Sequence, residues 1–274
     1  MRLGIAGIGV IAPGMDAWVS TTGQSAKNIL QGQTVYTDGS GLAPMSPTLL
    51  PANERRRTTP LIKLALCCAQ QVLIQIDPAS INIKAKNLAS VFASSCGDLQ
   101  IVDLVMNALL MEGKPVSPTH FHNSVHNAPA GYCSIATGSH AASTSLSAFD
   151  DSFAVGLLEA ATQVIVEQQD VLLVAYDMPP PPVLSPFRPM QAAFATALIL
   201  THENADHLHA VIDLEISNER QISQMSDVNL ENLRAGNPAA RSLPLLQLLA
   251  REEKGTVYIP YPHAQSLQIA LSPC

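Results

Sequence analysis

The stretch STSLSAFDDSFAVGLLEAATQVIVEQQDVLLVAY, residues 143–176, decides the fold. Apolar and polar positions suggest a strand in STSLSAF (143–149), recur at helical intervals over 154–168, and merge into a continuous apolar run in DVLLVAY (170–176). That succession predicts strand, helix, strand: a β-α-β unit.

Outward from this unit the alternation continues. Downstream, MPPPPV (178–183) cannot lie inside a regular element, because successive prolines lack the N–H that helices and sheets use, so it is an extended connection. Residues 192–200 and 210–216 predict two more strands joined by the polar turn THENADHLH, and the tail predicts a helix over 243–251 with strands around 257–259 and 266–271. Upstream, residues 3–12 predict a strand buried on both faces, turned by Pro13-Gly14. A helix is predicted within 53–75 and stopped by Asp77-Pro78, and a strand over 88–94. Residues 99–111 predict a helix apolar on nearly every side, which should be covered completely. The segment SPTHFHNSVHNAPAGYCSIATG (117–138) predicts a loop and a short helix. Strands alternating with helices indicate a layered α/β fold.

Hydrophobic residues make up 47% of the 274 positions and charged residues only 14%, so a sizeable face is expected to be covered by another subunit. The net charge of -7 argues against a partner that is nucleic acid or anionic membrane. Arg55 to Arg57 form a local basic run that reads as a solvated patch or, functionally, a contact for an acidic carrier protein. Five cysteines without a paired spacing fit reduced thiols and a cytoplasmic setting. The apolar start is superficially like a signal peptide, yet Pro13-Gly14 interrupt it, and no run reaches the roughly 20 apolar residues that span a bilayer.

Two phrases narrow the reading. LGIAGIGVIAPG (3–14) resembles the first strand and turn of the β-ketoacyl synthases, and SPTHFHNSVHNAPAG resembles their Ser-Pro loop and following helix, in a form similar to a short branch of chain length factors. The resemblance covers residue 1 to about residue 215. It implies a thiolase-like α-β-α fold, C-terminally shortened, in one domain over 1–274: a ketosynthase-like core over 1–215 and a shortened part over 216–274. In that register the nucleophilic cysteine's position is filled by Asp150, with Asp151 beside it, and no cysteine falls on the elbow. A carboxylate cannot replace the thiolate as acyl acceptor, because it is a poor nucleophile toward thioesters. Its structural alternative is an N-cap for the helix that follows. His202, His207, His209 and His263 lack the surroundings of the family's two catalytic histidines.

The resemblance therefore implies a non-catalytic chain length factor that pairs with a full-length ketosynthase, meets acyl carrier protein through that complex, and uses no cofactor or metal. It is similar to the partner subunit of bacterial aryl polyene pathways. The side chains expected to gate the partner's acyl tunnel are Met106, Leu109, Leu110, His120 and Phe121, with ordinary packing as the alternative for each. Competing readings are a stand-alone acyl-carrier-handling enzyme using Asp150, Asp151 or the histidine loop, and a homodimeric structural protein. Three motifs point elsewhere only loosely. Gly7, Gly9 and Ala12 form a G-x-G-x-x-A without the helix a dinucleotide site needs; His120, His122 and His126 lack acidic or thiol companions for a metal; Ser139-His140 lacks a hydrolase elbow.

Overall fold

The computed structural model describes residues 1–21, 23–37, 41–76 and 85–274. Among these, the strands are β1 (Arg2–Ile11), β2 (Ala89–Ala93), β3 (Ser143–Leu146), β4 (Val171–Asp177), β5 (Phe194–Thr201), β6 (Ala210–Ser217), β7 (Gly255–Tyr261) and β8 (Gln265–Pro273). They form one sheet in the order β3-β2-β4-β5-β1-β6-β8-β7. β2 runs parallel to β3 and β4, and the remaining neighbours are antiparallel. The segment after residue 215 thus extends the sheet that the β-α-β unit begins.

The helices are α1 (Ala26–Leu30), α2 (Ala52–Arg55), α3 (Pro60–Ile76), α4 (Leu99–Leu110), α5 (Pro118–Asn123), α6 (Ala128–Thr137), α7 (Ser152–Glu167), α8 (Val228–Gly236) and α9 (Leu243–Arg251). One core lies between the sheet and α1, α7, α8 and α9. A second lies between the opposite face and α3 and α6, which completes the expected three layers. The predicted stop at Asp77-Pro78 lies outside the described residues.

β1 shows how the sequence serves both cores. Its register against β5 shifts between Ile5 and Gly7, and a shift of one residue exchanges the faces of a strand. Leu3 and Ile5 before the bulge, and Ile8, Val10 and Ala12 after it, consequently all enter the same core. The opposite face carries Gly7 and Gly9 because α3 crosses there in close contact. A Cβ on Gly9 would lie 2.8 Å from the Cys68 carbonyl oxygen, and one on Gly7 would lie 3.2 Å from Ile199. These glycines serve helix-on-strand packing. Beyond Ile5, where pairing with β6 stops, α3 also supplies side-chain amides in place of a strand. Gln75 accepts from Ile8 N and donates to Ile8 O, and Gln71 does the same for Val10.

Two expectations are corrected, and one element is new. Residues 117–138 form two helices: Ser117 caps α5 through its hydroxyl with Pro118 in the first turn, and Gly138, at φ 63°, ends α6. α8 was not anticipated, because only Leu230 and Leu233 give it an apolar side; Asp227 caps it by accepting from Asn229 N and Leu230 N. α4 is far from completely covered. Ile101 is its buried residue, while Leu104, Met106, Leu109 and Leu110 stand out to solvent.

Candidate functional site

The carboxyl ends of β2, β3 and β4 converge, which is where open α/β sheets place ligand sites. The link from β3 to α7 is a short 3₁₀ turn, Phe149–Asp151. Phe149 holds φ 52°, a conformation that costs a non-glycine residue energy, so the chain bends there as a strained strand-to-helix elbow. The hydroxyl of Ser152 stabilises the bend, accepting from Ala148 N and donating to Phe149 O. Asp150 is the next residue after the strained position.

Asp150 does not cap α7. Its Oδ1 accepts from Arg188 Nη1 at 2.5 Å and its Oδ2 from Arg241 Nη2 at 3.1 Å, while Asp151 Oδ1 accepts from Arg241 Nη1 at 3.0 Å. The N-cap residue is Asp151, and it makes no side-chain cap bond. The capping expectation is corrected for a physical reason: two guanidiniums offer charge-assisted bonds that outcompete neutral backbone N–H groups. The Arg188 guanidinium carbon also sits over the Phe149 ring, 3.9 Å from its centroid, and its Nε donates to Cys96 Sγ at 3.3 Å. Two carboxylates and two guanidiniums thus form a compact neutral network across the elbow. Burial pushes the Asp151 carboxyl above its usual range, with Arg241 opposing.

Cys96, at the exit of β2, is the thiol that this cluster contains; residues 147–152 of the elbow itself carry none. The other thiols are packed away or peripheral. Burial pushes Cys67 up to about 11, Cys133 up to about 12 and Cys68 well above its ordinary value, and Cys274 is exposed. Beneath the cluster Asp177 ties the strand exits together: its Oδ1 accepts from Ser94 Oγ, Ser95 N and Ser95 Oγ at 3.1, 2.9 and 2.7 Å. Burial raises its carboxyl to about 6 despite these bonds. Asp177, Cys96, Arg188 and Arg241 were not foreseen. They come from four separate segments, and no local spacing relates them.

The expected gate residues divide. Met106, Leu109 and Leu110 share the outward face of α4, with Leu110 84% exposed. α5 packs against α4 and carries the other two. His120 lines a pocket of about 540 Å³ together with Leu104. Phe121 lines an apolar groove of about 460 Å³ between α5 and α6, with Val125 and Ile135 also exposed. The three histidines of this loop diverge: His126 Nε2 meets Ser94 O, and His122 packs edge-on to Tyr132. Among the described residues no three His, Cys, Asp or Glu side chains are grouped to hold a metal ion, and no helix is long and apolar enough to cross a membrane. His202, His207, His209 and His263 are exposed, away from the elbow.

Comparison with solved structures gives full-length matches. A chain in the complex of the ketosynthase ApeO with its chain length factor ApeC from Xenorhabdus doucetiae is 23% identical, with TM-score 0.71 and 99% of each chain covered. The AntDE:AntF complex, a type II acyl carrier protein with its ketosynthase bound to the hexaketide, gives TM-score 0.75 at 12% identity, covering 100% of this chain and 99% of that one. The ishigamide ketosynthase/chain length factor gives 0.70 at 11%, with the same coverage. At these identities the likeness establishes the shared thiolase-like fold. A search of curated proteins found no match. The model of the β-ketoacyl synthase N-terminal domain matches residues 33–261, most of the chain, and the chain belongs to that family.

Proposed function

We propose that this chain is a non-condensing subunit that pairs with an active ketosynthase and shapes its acyl tunnel, as a chain length factor in polyketide or aryl polyene synthesis. The observation that carries the reading is the uncovered apolar face of α4, α5 and α6, where Met106, Leu110, Phe121, Val125 and Ile135 are each more than half exposed. A face of this kind on one chain marks an interaction site. Beside α6 lies β3, which among the described residues is an edge strand with no strand paired to its outer side. Obligate interfaces in general bury about 2,000 Å² or more and are apolar, which suits these elements together.

The elbow supports the same reading. Its strained residue is a phenylalanine, and the carboxylate after it is bonded to two guanidiniums. Asp150 and Asp151 each face an arginine, so they are not arranged as a proton-sharing acid pair. This favours an accessory role over a stand-alone acyl-handling enzyme. Met106, Leu109, Leu110, His120 and Phe121 are proposed to meet the partner's tunnel. The net charge of -7 favours docking of an acidic carrier protein on the catalytic partner.

Co-expression with a candidate ketosynthase partner tests the reading. The two chains should co-elute, and condensation should vanish when the partner's nucleophile is replaced but persist when Cys96 or Asp150 is. Met106→Ala or Phe121→Ala in the assembled complex should lengthen the products. Elongation by the isolated chain, or a full set of gate variants with unaltered product length, would overturn the proposal.

A further inference from the structure

The sheet ends in two edge strands, β3 and β7, and their outer sides differ. β7 reads GTVYIPY, and its residues 256–259 are β-branched or aromatic throughout, a composition that pairs readily with another strand. An uncovered edge of this kind recruits further chains. Tyr258 shows how the edge is occupied. Its N donates to Ser223 Oγ and its O accepts from Ser223 N, each at 2.9 Å, on the side away from β8. Backbone groups alternate in direction along a strand, so Thr256 and Pro260 also face outward. Pro260 has no N–H to offer. Thr256 is thus the outward donor of β7 without a partner among the described residues.

Ser223 is delivered to this edge by a segment held at several points. After β6 ends at Ser217, beside Ser266 at the start of β8, residues 218–226 pass β8 and reach the far side of β7. The buried Ser266 donates from Oγ to Glu219 O at 2.6 Å, and Gln265 Nε2 donates to Asn218 Oδ1 at 2.8 Å. Beyond Ser223, Met225 is buried and its N donates to Glu231 Oε2 of α8 at 2.8 Å. At the opposite end of the sheet, Ser90 N donates to Ala142 O and Ser94 N to Leu146 O. β3 therefore turns Ser143 and Ser145 outward, where no strand of the described residues lies.

We propose that residues 218–226 are a strap that closes β7 to strand addition, with Ser223 occupying both outward groups of Tyr258 and Pro260 withholding a third. Strand pairing is thereby confined to the β3 end. This goes beyond pairing with a ketosynthase, and its test involves no partner.

Amide hydrogen exchange of the full chain, read by NMR, tests the strap together with sedimentation. Corrected for intrinsic rates, Tyr258 N–H should exchange more slowly than Thr256 N–H. Ser223→Ala removes the acceptor alone and should speed exchange at Tyr258 about two- to tenfold, the worth of one hydrogen bond, with the amides of β6 and β8 unchanged. Ser223→Ala with Pro260→Thr gives β7 outward donors at 256, 258 and 260. That double variant should show a weight-average mass that rises with concentration above that of the unsubstituted chain, with those three amides protected in the associated species. Association through the apolar face is common to both proteins and cancels. Equal exchange at Tyr258 and Thr256 in the unsubstituted chain overturns the proposal. So does acceleration spread over the whole sheet in Ser223→Ala, superimposable sedimentation of the double variant and the unsubstituted chain, or association that leaves the three amides unprotected. The first measurement needs no substitution, so it decides the matter even should the double variant fail to fold.

Discussion

Replacing Asp177 by Asn tests the account of the strand exits beneath the elbow. The fold raises this carboxyl from 3.8 to about 6, chiefly through burial, so the folded state prefers it protonated. A carboxyl raised in this way contributes stability that is fully present below about pH 3.8 and is lost as pH rises through about 6. The difference of about 2 pK units corresponds to about 3 kcal/mol at 1.36 kcal/mol per unit. Asparagine keeps the Oδ1 that accepts from Ser94 and Ser95 and removes the buried charge. Urea unfolding of both proteins from pH 4 to pH 8 should show near-equal stability at the acid end and Asp177→Asn more stable by about 3 kcal/mol at pH 8. Other groups titrate alike in both proteins and cancel. Parallel profiles, or a variant less stable at pH 8, would refute the reasoning.

Asp150→Ala should cost about 1.5–3 kcal/mol in thermal or urea unfolding, because Arg188, only 12% exposed, would lose its carboxylate. Leu110→Glu should leave folding within about 0.5 kcal/mol, since the side chain is 84% exposed. The same change should weaken pairing with the ketosynthase about 10- to 150-fold in a binding titration, the loss of about 1.5–3 kcal/mol of leucine burial. Gly9→Ala should destabilise by about 1–3 kcal/mol, because its Cβ would meet the Cys68 carbonyl at 2.8 Å and α3 would have to shift.

The layered class and most of the elements are legible along the chain. α9 occupies 243–251 as expected, and α3, α7, β4, β5 and β8 lie within a few residues of their predicted spans, because each carries an unbroken period of 2 or 3.6 or a continuous apolar run. The Ser-Pro phrase also led to the family. What those elements do together emerges from their packing in three dimensions. That packing turned Asp150 from a helix cap into the centre of an ion network with Arg188 and Arg241, residues 38 and 91 positions away. It left α4 bare, although its composition called for cover, because an apolar surface can be completed by a second molecule as readily as by the same chain. Periodicity records which side of an element is apolar; the partner on that side is set by chain topology and assembly, which local spacing does not encode.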